Sequence, residues 1–211
     1  MNINYQKELD IIIEENSKKG VKPRLILHSC CAPCTSYCIE YLNRYFDITL
    51  YFYNPNISNE EEYNKRAKEL IRLIKEMKLD NQIECIIEKY ESEEFYKVAK
   101  GLEKEPERGA RCTECFLLRL NKSAIYAKEK GVDYFTTTLT ISPHKNAVLL
   151  NEIGKKLGDE YGVNYLYSDF KKKNGYKRSI ELSSEYNLYR QDFCGCIYSK
   201  VERERQKRET L

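Results

Sequence analysis

The chain alternates short runs of apolar residues with longer segments of helical periodicity. The runs are five to eight residues long and rich in β-branched and aromatic side chains, which is typical of buried strands. Strands that alternate with helices are typical of a parallel α/β sheet. The predicted strands are residues 24–28, 48–53, 83–88, 133–140 and 163–167. The pattern therefore predicts a parallel five-stranded sheet with helices on both faces.

Local signals predict where the intervening helices begin and end. Ser58 and Glu61 match a capping box, which opens a helix. Gly131 is placed to end a helix that begins at Cys112-x-x-Cys115. The pair Ser142-Pro143 is predicted to open another helix, because proline at the first helical position sacrifices no hydrogen bond. Further helices are predicted at residues 4–19, near 175–187 and at 197–209.

Length and composition narrow the class of protein. A chain of 211 residues with 41% hydrophobic and 33% charged residues is expected to form a single α/β domain, residues 1–211. No run approaches the ~20 apolar residues of a membrane helix, and no apolar leader follows Met1. We therefore expect a cytoplasmic protein with no membrane partner.

The nine cysteines indicate the kind of chemistry that the chain carries out. In a chain without an export signal, this number indicates metal or redox chemistry rather than a disulfide framework. Cys38 and Cys85 stand apart and are expected to be packed core thiols, whereas the role of Cys34 is open between site and packing. The remaining cysteines form three groups: Cys30 and Cys31, Cys112 and Cys115, and Cys194 and Cys196.

The first two groups together offer four thiolates. Cys30 and Cys31 directly follow the first predicted strand, at the edge of the sheet where ligands bind in open α/β folds. With Cys112 and Cys115 they match the requirement of a [4Fe–4S] cluster, although four thiolates also suit zinc. Their position at the edge of the sheet where ligands bind favours an iron–sulfur cluster over zinc.

The third group is a Cys-Gly-Cys motif. Glycine permits the bend that brings the sulfurs of Cys194 and Cys196 together, so the pair is interpreted as a redox-active dithiol. Ligation of a second metal is the alternative. The first strand leads into cysteines rather than a glycine-rich loop, so ATP and nicotinamide chemistry lack their usual motifs.

The C-terminal portion, residues 171–211, carries a basic excess. Residues 171–208 hold eleven Lys and Arg against five Asp and Glu. Lys172, Lys177, Arg178 and Arg190 are the candidate contacts with nucleic acid, because phosphates attract such clusters. The alternative is a locally basic surface exposed to solvent.

Four motifs in this order resemble the QueH family of epoxyqueuosine reductases. They are residues 28–34 (HSCCAPC), Cys112-x-x-Cys115, residues 138–146 (TLTISPHKN), and residues 189–191 (YRQ) ahead of Cys194-Gly195-Cys196. The resemblance spans about residues 22 to 200. It implies a Rossmann-like fold related to the adenine-nucleotide α-hydrolases, without their phosphate loop.

The resemblance also implies a reaction, namely reductive removal of the epoxide oxygen of epoxyqueuosine at the tRNA wobble position to give queuosine. The partners would be tRNA carrying epoxyqueuosine in its anticodon and an external electron donor such as a ferredoxin or flavodoxin. The family's [4Fe–4S] ligands carry over to Cys30, Cys31, Cys112 and Cys115, and its redox-active pair to Cys194 and Cys196. An additional iron ion held by some of these cysteines is the alternative assignment.

Reduction of the epoxide also needs an acid to protonate the leaving oxygen. The sequence offers His144, His28 and Asp192 as candidates. Two other functions compete with the reductase: a tRNA-sulfurtransferase-like enzyme on a related fold, and a zinc-binding nucleic-acid module.

Overall fold

The computed structural model describes residues 3–209. Residues 1, 2, 210 and 211, which belong to the predicted domain 1–211 and its portion 171–211, lie outside the described residues. The strands are β1 (Arg24–His28), β2 (Asp47–Phe52), β3 (Glu84–Ile87), β4 (Tyr134–Thr137) and β5 (Asn164–Tyr165). The helices are α1 (Tyr5–Lys18), α2 (Ala32–Leu42), α3 (Glu60–Glu76), α4 (Ser92–Ala99), α5 (Ala110–Lys130), α6 (Ala147–Tyr161), α7 (Gly175–Glu185) and α8 (Ile197–Glu209).

The strands form one parallel sheet in the order β3-β2-β1-β4-β5. Strand β1 lies at the centre, where Leu27 aligns with Leu50 of β2 and Thr136 of β4. The chain order reverses at β1, so the turns after β1 and β4 meet at the carboxyl edge of the sheet, where such folds bind ligands. The predicted fold class is confirmed.

Both faces of the sheet are covered by helices. Leu25 and Leu27 pack into one buried cluster, which also contains Leu70 of α3, whereas Ile26 packs into a second cluster with Leu120 of α5. This alternation follows from the period of two along a strand, and it explains why the strands are apolar on both sides. None of the helices described is both long and apolar enough to cross a membrane.

Two helix starts differ from the sequence predictions. Helix α3 is capped by Asn59 rather than Ser58, because the Asn59 side chain accepts a hydrogen bond from the Glu62 backbone N–H at 2.8 Å. Helix α6 begins at Ala147 rather than at Ser142-Pro143, because Asn146 caps it. Residues 142–146 are therefore a turn at the edge of the sheet. Gly131, with φ of 58°, does end α5 as predicted.

The fourth and fifth strands are shorter than the predicted 133–140 and 163–167. The chain leaves β4 at Thr137 and forms a 3-10 turn over Thr138–Ile141, in which the Thr137 hydroxyl accepts from the Leu139 N–H at 3.1 Å. Strand β5 therefore pairs with β4 at only two positions. Helix α4, which the sequence analysis did not predict, lies between β3 and α5.

Candidate active site

Three cysteines meet in the turn between β1 and α2. The Sγ atoms of Cys30 and Cys31 lie 3.7 Å apart, and the sulfurs of Cys30, Cys31 and Cys34 all lie within 4.8 Å of one another. Cys31 is the N-cap of α2, and Cys34 lies in the first turn of that helix. We call these residues the first thiol group. The position of Cys34 favours a role in the site over packing alone.

The first thiol group is arranged to hold one thiolate. Hydrogen bonds from the Cys31 and Cys34 thiols hold the pKa of Cys30 well below its ordinary value, and the charges of Arg119 and Lys145 act in the same direction. The hydrogen bond between the Cys31 thiol and Cys30 raises the pKa of Cys31 to about 12. A buried thiolate with cations beside it is the form of cysteine that binds metal.

Four further cysteines form the second thiol group: Cys112 and Cys115 at the start of α5, with Cys194 and Cys196. They line a cavity of about 360 Å³. The Arg108 backbone N–H donates to Cys112 Sγ at 3.3 Å. Burial raises the pKa of Cys115 to about 11 and that of Cys196 to about 12. The structure thus brings the predicted pairs of Cys112-x-x-Cys115 and Cys194-Gly195-Cys196 together.

The two thiol groups line adjoining cavities. The first lines a cavity of about 710 Å³, and Cys194, His144 and Lys145 line both this cavity and the smaller one. The Lys145 ammonium donates to Cys194 Sγ at 3.5 Å. Among the described residues, only Cys30, Cys31 and Cys34 place three metal-ligating atoms within 4.8 Å. The set of Cys30, Cys31, Cys112 and Cys115 therefore stays a prediction.

The segment that leads to Cys194 is docked on α3 through polar contacts. We call residues 186–193 the docking segment. Glu69 accepts from the Tyr189 backbone N–H at 2.7 Å, and Glu62 accepts from the Tyr189 hydroxyl at 3.1 Å. Arg72 donates to the Tyr186 carbonyl at 2.9 Å. The position of Cys194 therefore depends on one face of α3.

Gly195 is fixed between α3 and the turn that precedes it. Its φ is +119°, a value that residues with a side chain rarely adopt. A Cβ here would lie 3.0 Å from Arg66 Nη1 and 3.2 Å from Ile57 Cγ1. The Gly195 carbonyl accepts from the Ser58 backbone N–H at 3.0 Å. Glycine is therefore required where the Cys-Gly-Cys motif meets α3.

His28 is a buried structural residue. Its Nε2 lies 3.1 Å from the Tyr53 carbonyl, so this nitrogen carries the hydrogen and donates. Its Nδ1 accepts from the Thr137 hydroxyl at 2.9 Å. Burial and the charge of Arg119 lower the pKa of His28 to about 3. A neutral, fully buried imidazole that links β1 to β4 is positioned to hold the thiol turn rather than to donate a proton.

The other two acid candidates lie on the wall of the larger cavity. His144 is exposed, and Arg108 donates to its Nδ1 at 3.0 Å, which leaves Nε2–H as the donor. Asp192 forms an ion pair with Lys207, and this contact holds the pKa of Asp192 below its ordinary value. A carboxylate with a lowered pKa is a poor proton donor near neutral pH, which argues against Asp192 as the acid.

Two buried arginines belong to the site and were missed by the sequence analysis. Arg66 and Arg119 are 2% and 1% exposed and line the larger cavity with the first thiol group. Arg66 lies on the core-facing stripe of α3, between Tyr63 and Leu70. A charged residue on an apolar stripe is a signal that could have identified it.

The four candidate nucleic-acid contacts have different environments. Lys172 and Lys177 are exposed and form no ion pair with any residue between 3 and 209. Arg178 instead binds Glu40 of α2, with the Nη2–Oε1 distance at 2.6 Å, and so joins α7 to α2. Arg190 lines the larger cavity and donates to Ser183 Oγ at 2.9 Å.

Comparisons with known proteins bear on the family of the chain. The family model described as "Epoxyqueuosine reductase QueH" matches residues 25–202. The chain is 46% identical over 204 residues to the epoxyqueuosine reductase QueH of Staphylococcus epidermidis, covering 95% of this chain and 86% of that protein. It is 44% identical over 199 residues to the Streptococcus pyogenes serotype M1 protein of the same name, covering 93% and 78%.

A more distant relative spans a similar length. The epoxyqueuosine reductase QueH of Thermotoga maritima is 32% identical over 188 residues, which are 88% of this chain and 94% of that protein. The matched region contains every cysteine of both thiol groups. The chain belongs to the epoxyqueuosine reductase QueH family.

Proposed function

We propose that this chain is an epoxyqueuosine reductase that acts on tRNA carrying epoxyqueuosine in its anticodon and converts it to queuosine. Loss of the epoxide oxygen as water takes up two electrons and two protons. The observation that carries the proposal is the convergence of two thiol groups on adjoining cavities at the carboxyl edge of the sheet. The family of the chain supplies the substrate.

We propose that Cys30, Cys31, Cys112 and Cys115 hold a [4Fe–4S] cluster. The donor set fits, because these are buried or half-buried thiols and Cys30 is already favoured as the thiolate. Arg119 interacts electrostatically with both Cys30 and Cys115, so the two pairs face a common cation. When bound, the cluster supplies single electrons, which an external donor such as a ferredoxin or flavodoxin replaces. Cys34 is the competing ligand, and an additional iron ion is the competing second group.

Other residues of the chain bind and protonate the substrate. The larger cavity, of about 710 Å³, has room for a modified nucleoside. His144 holds a proton at Nε2 on its wall and is the proposed acid. Cys194 and Cys196 are the proposed redox-active dithiol, and the Lys145 ammonium donates a hydrogen bond to Cys194 Sγ. Within residues 171–211, Lys172, Lys177 and Arg190 contact the tRNA backbone.

The test is turnover by protein purified without oxygen. We expect a brown protein that contains iron and acid-labile sulfide and, with a reduced donor, converts epoxyqueuosine in tRNA to queuosine, as measured by mass spectrometry of nucleosides. A colourless protein that contains zinc and binds tRNA without turnover would indicate a zinc-binding nucleic-acid module. ATP-dependent sulfur transfer to tRNA would indicate the sulfurtransferase, against which the absence of a glycine-rich loop after β1 already argues.

A further inference from the structure

The wall of the larger cavity carries more buried positive charge than its carboxylates balance. Arg66, Arg119 and Lys145 all line this cavity with the first thiol group. Arg66 is paired with Glu62, whose Oε1 lies 2.7 Å from Arg66 Nε. No carboxylate of residues 3–209 lies within ion-pair distance of Arg119, whose Nη2 instead donates to Asn54 Oδ1 at 2.5 Å. The imbalance is greatest at Arg119.

The two guanidinium groups also have unused hydrogen-bond donors. Arg66 Nη2 and Arg119 Nε are buried and have no hydrogen-bond partner among the described residues. Burial of a charge without a counter-ion destabilises a protein strongly, so such groups normally face an anion. Asp192, a carboxylate on the same wall, is already paired with Lys207. The anionic groups that act on Arg119 are the cysteine sulfurs.

The cysteine sulfurs are placed to balance the excess positive charge of Arg66 and Arg119. Arg119 interacts electrostatically with Cys115, Cys30 and Cys194. Arg66 acts in the same way on Cys31. Arg119 therefore faces cysteines of both thiol groups, and Arg66 faces the first.

We propose that Arg66 and Arg119 are the counter-ions of the cluster held by these cysteines and raise its reduction potential. This inference rests on the proposed function. A cluster with four thiolate ligands is anionic, and reduction adds a further negative charge, so fixed cations stabilise the reduced form more than the oxidised form. Arginine suits this role because its guanidinium stays protonated in both states.

The test measures the midpoint potential of the cluster in anaerobic potentiometric titrations followed by electron paramagnetic resonance. In Arg119→Gln, and separately in Arg66→Gln, we expect the ratio of reduced to oxidised cluster at a fixed potential to fall by tenfold or more. A tenfold change corresponds to 59 mV for one electron. The Arg119→Lys and Arg66→Lys variants keep the charge and should stay near the wild-type potential.

Arg24→Gln is the matched control. It removes one positive charge at the opposite end of β1, where Arg24 is exposed and lines neither cavity, so the potential should not change. A loaded cluster with the wild-type potential in both Arg119→Gln and Arg66→Gln would overturn the counter-ion role and leave the proposed function intact. Wild-type protein that assembles no cluster would remove the basis of both.

Loading of the cluster provides a second measurement if the glutamine variants do not accumulate it. Iron and sulfide that are lost in the glutamine variants and retained in the lysine variants would show that positive charge is required, which supports the proposal. Equal loss in the lysine variants would show that the shape of the guanidinium matters instead, and would overturn it.

Discussion

The two thiol groups are built in different ways. Cys30, Cys31 and Cys34 lie within one turn and the start of α2, whereas Cys112 and Cys115 meet Cys194 and Cys196 from a distant part of the chain. The geometry of the first group therefore follows from local backbone structure. That of the second depends on the docking segment and its contacts with α3. Loss of the contacts that Glu69 and Arg72 make with the docking segment should therefore affect the second group and leave the first unchanged.

Removal of the proposed cluster ligands should have the largest effect. We expect serine in place of Cys30, Cys31, Cys112 or Cys115 to remove most of the iron and sulfide, because each change removes one ligand. The measurement is metal and sulfide analysis of protein purified without oxygen.

The control for this series is Cys85→Ser. Burial raises the pKa of Cys85 to about 12, it lies in β3, and it lines neither cavity, so its loss should leave iron content near wild type. Cys34→Ser tests the proposed set of ligands most directly. If it removes the cluster while Cys112→Ser retains it, the ligands come from the first thiol group and the proposed set is wrong.

The dithiol should affect turnover without affecting the cluster. Cys194→Ser and Cys196→Ser are expected to abolish conversion of epoxyqueuosine while most of the visible absorbance of the cluster remains. Single-turnover assays with a pre-reduced protein, together with the visible spectrum, check this. Loss of the absorbance in either variant would make these cysteines metal ligands and favour the assignment with an additional iron.

A change in the docking of the second group should have an intermediate effect. Gly195→Ala introduces a side chain at positive φ and against Arg66, at a cost of about 1–3 kcal/mol. We expect slower turnover with unchanged iron content, because the Cys-Gly-Cys motif lies outside the proposed cluster ligands. The measurement is activity and iron content in the same samples.

Gly101→Ala is the matched control for Gly195→Ala. Gly101 also has a positive φ, of +81°, but a Cβ there would meet nothing within 4 Å. Equal loss of activity in the two variants would show that backbone strain in general, rather than the contact with α3, limits the enzyme.

The smallest effect should come from the basic surface. Neutralising Lys172 and Lys177 with glutamine should weaken tRNA binding and reduce the magnitude of its salt dependence by about 0.7 per lost contact, since each contact releases counterions from single-stranded RNA. Binding measured against salt concentration checks this. The ion-paired Lys155 is the control, as Lys155→Gln. Arg178 is not substituted in this test, because loss of its charge would break the ion pair with Glu40.

Much of the fold could be predicted because strands and helices leave local patterns. The run at residues 24–28 matched β1, and Gly131 marked the end of α5. The helix start at Ser142-Pro143 was wrong because Asn146, four positions later than Ser142, provides the stronger cap with two backbone N–H groups. Patterns of this kind compete locally, and the geometry of the final fold decides between them.

The site was predictable only where its residues carry a motif. The cysteines were identified by their spacing, and the meeting of the turns after β1 and β4 followed from the parallel sheet. The grouping of Cys112 and Cys115 with Cys194 was not predictable, because it depends on how α5 and the docking segment pack. Arg119 was not identified either, because its importance arises from neighbours that are distant in sequence.

The local construction of the first thiol group also bears on the order of events during translation. Residues 30–34 leave the ribosome long before Cys194, and N-terminal segments begin to fold first. Arg190, Phe193 and Glu202, which form part of the wall facing these thiols, are added only later. Until then the nascent chain presents these thiols without their final cover. Insertion of the proposed cluster into the complete set of proposed ligands must therefore follow the synthesis of α5, and its enclosure must follow the synthesis of α8.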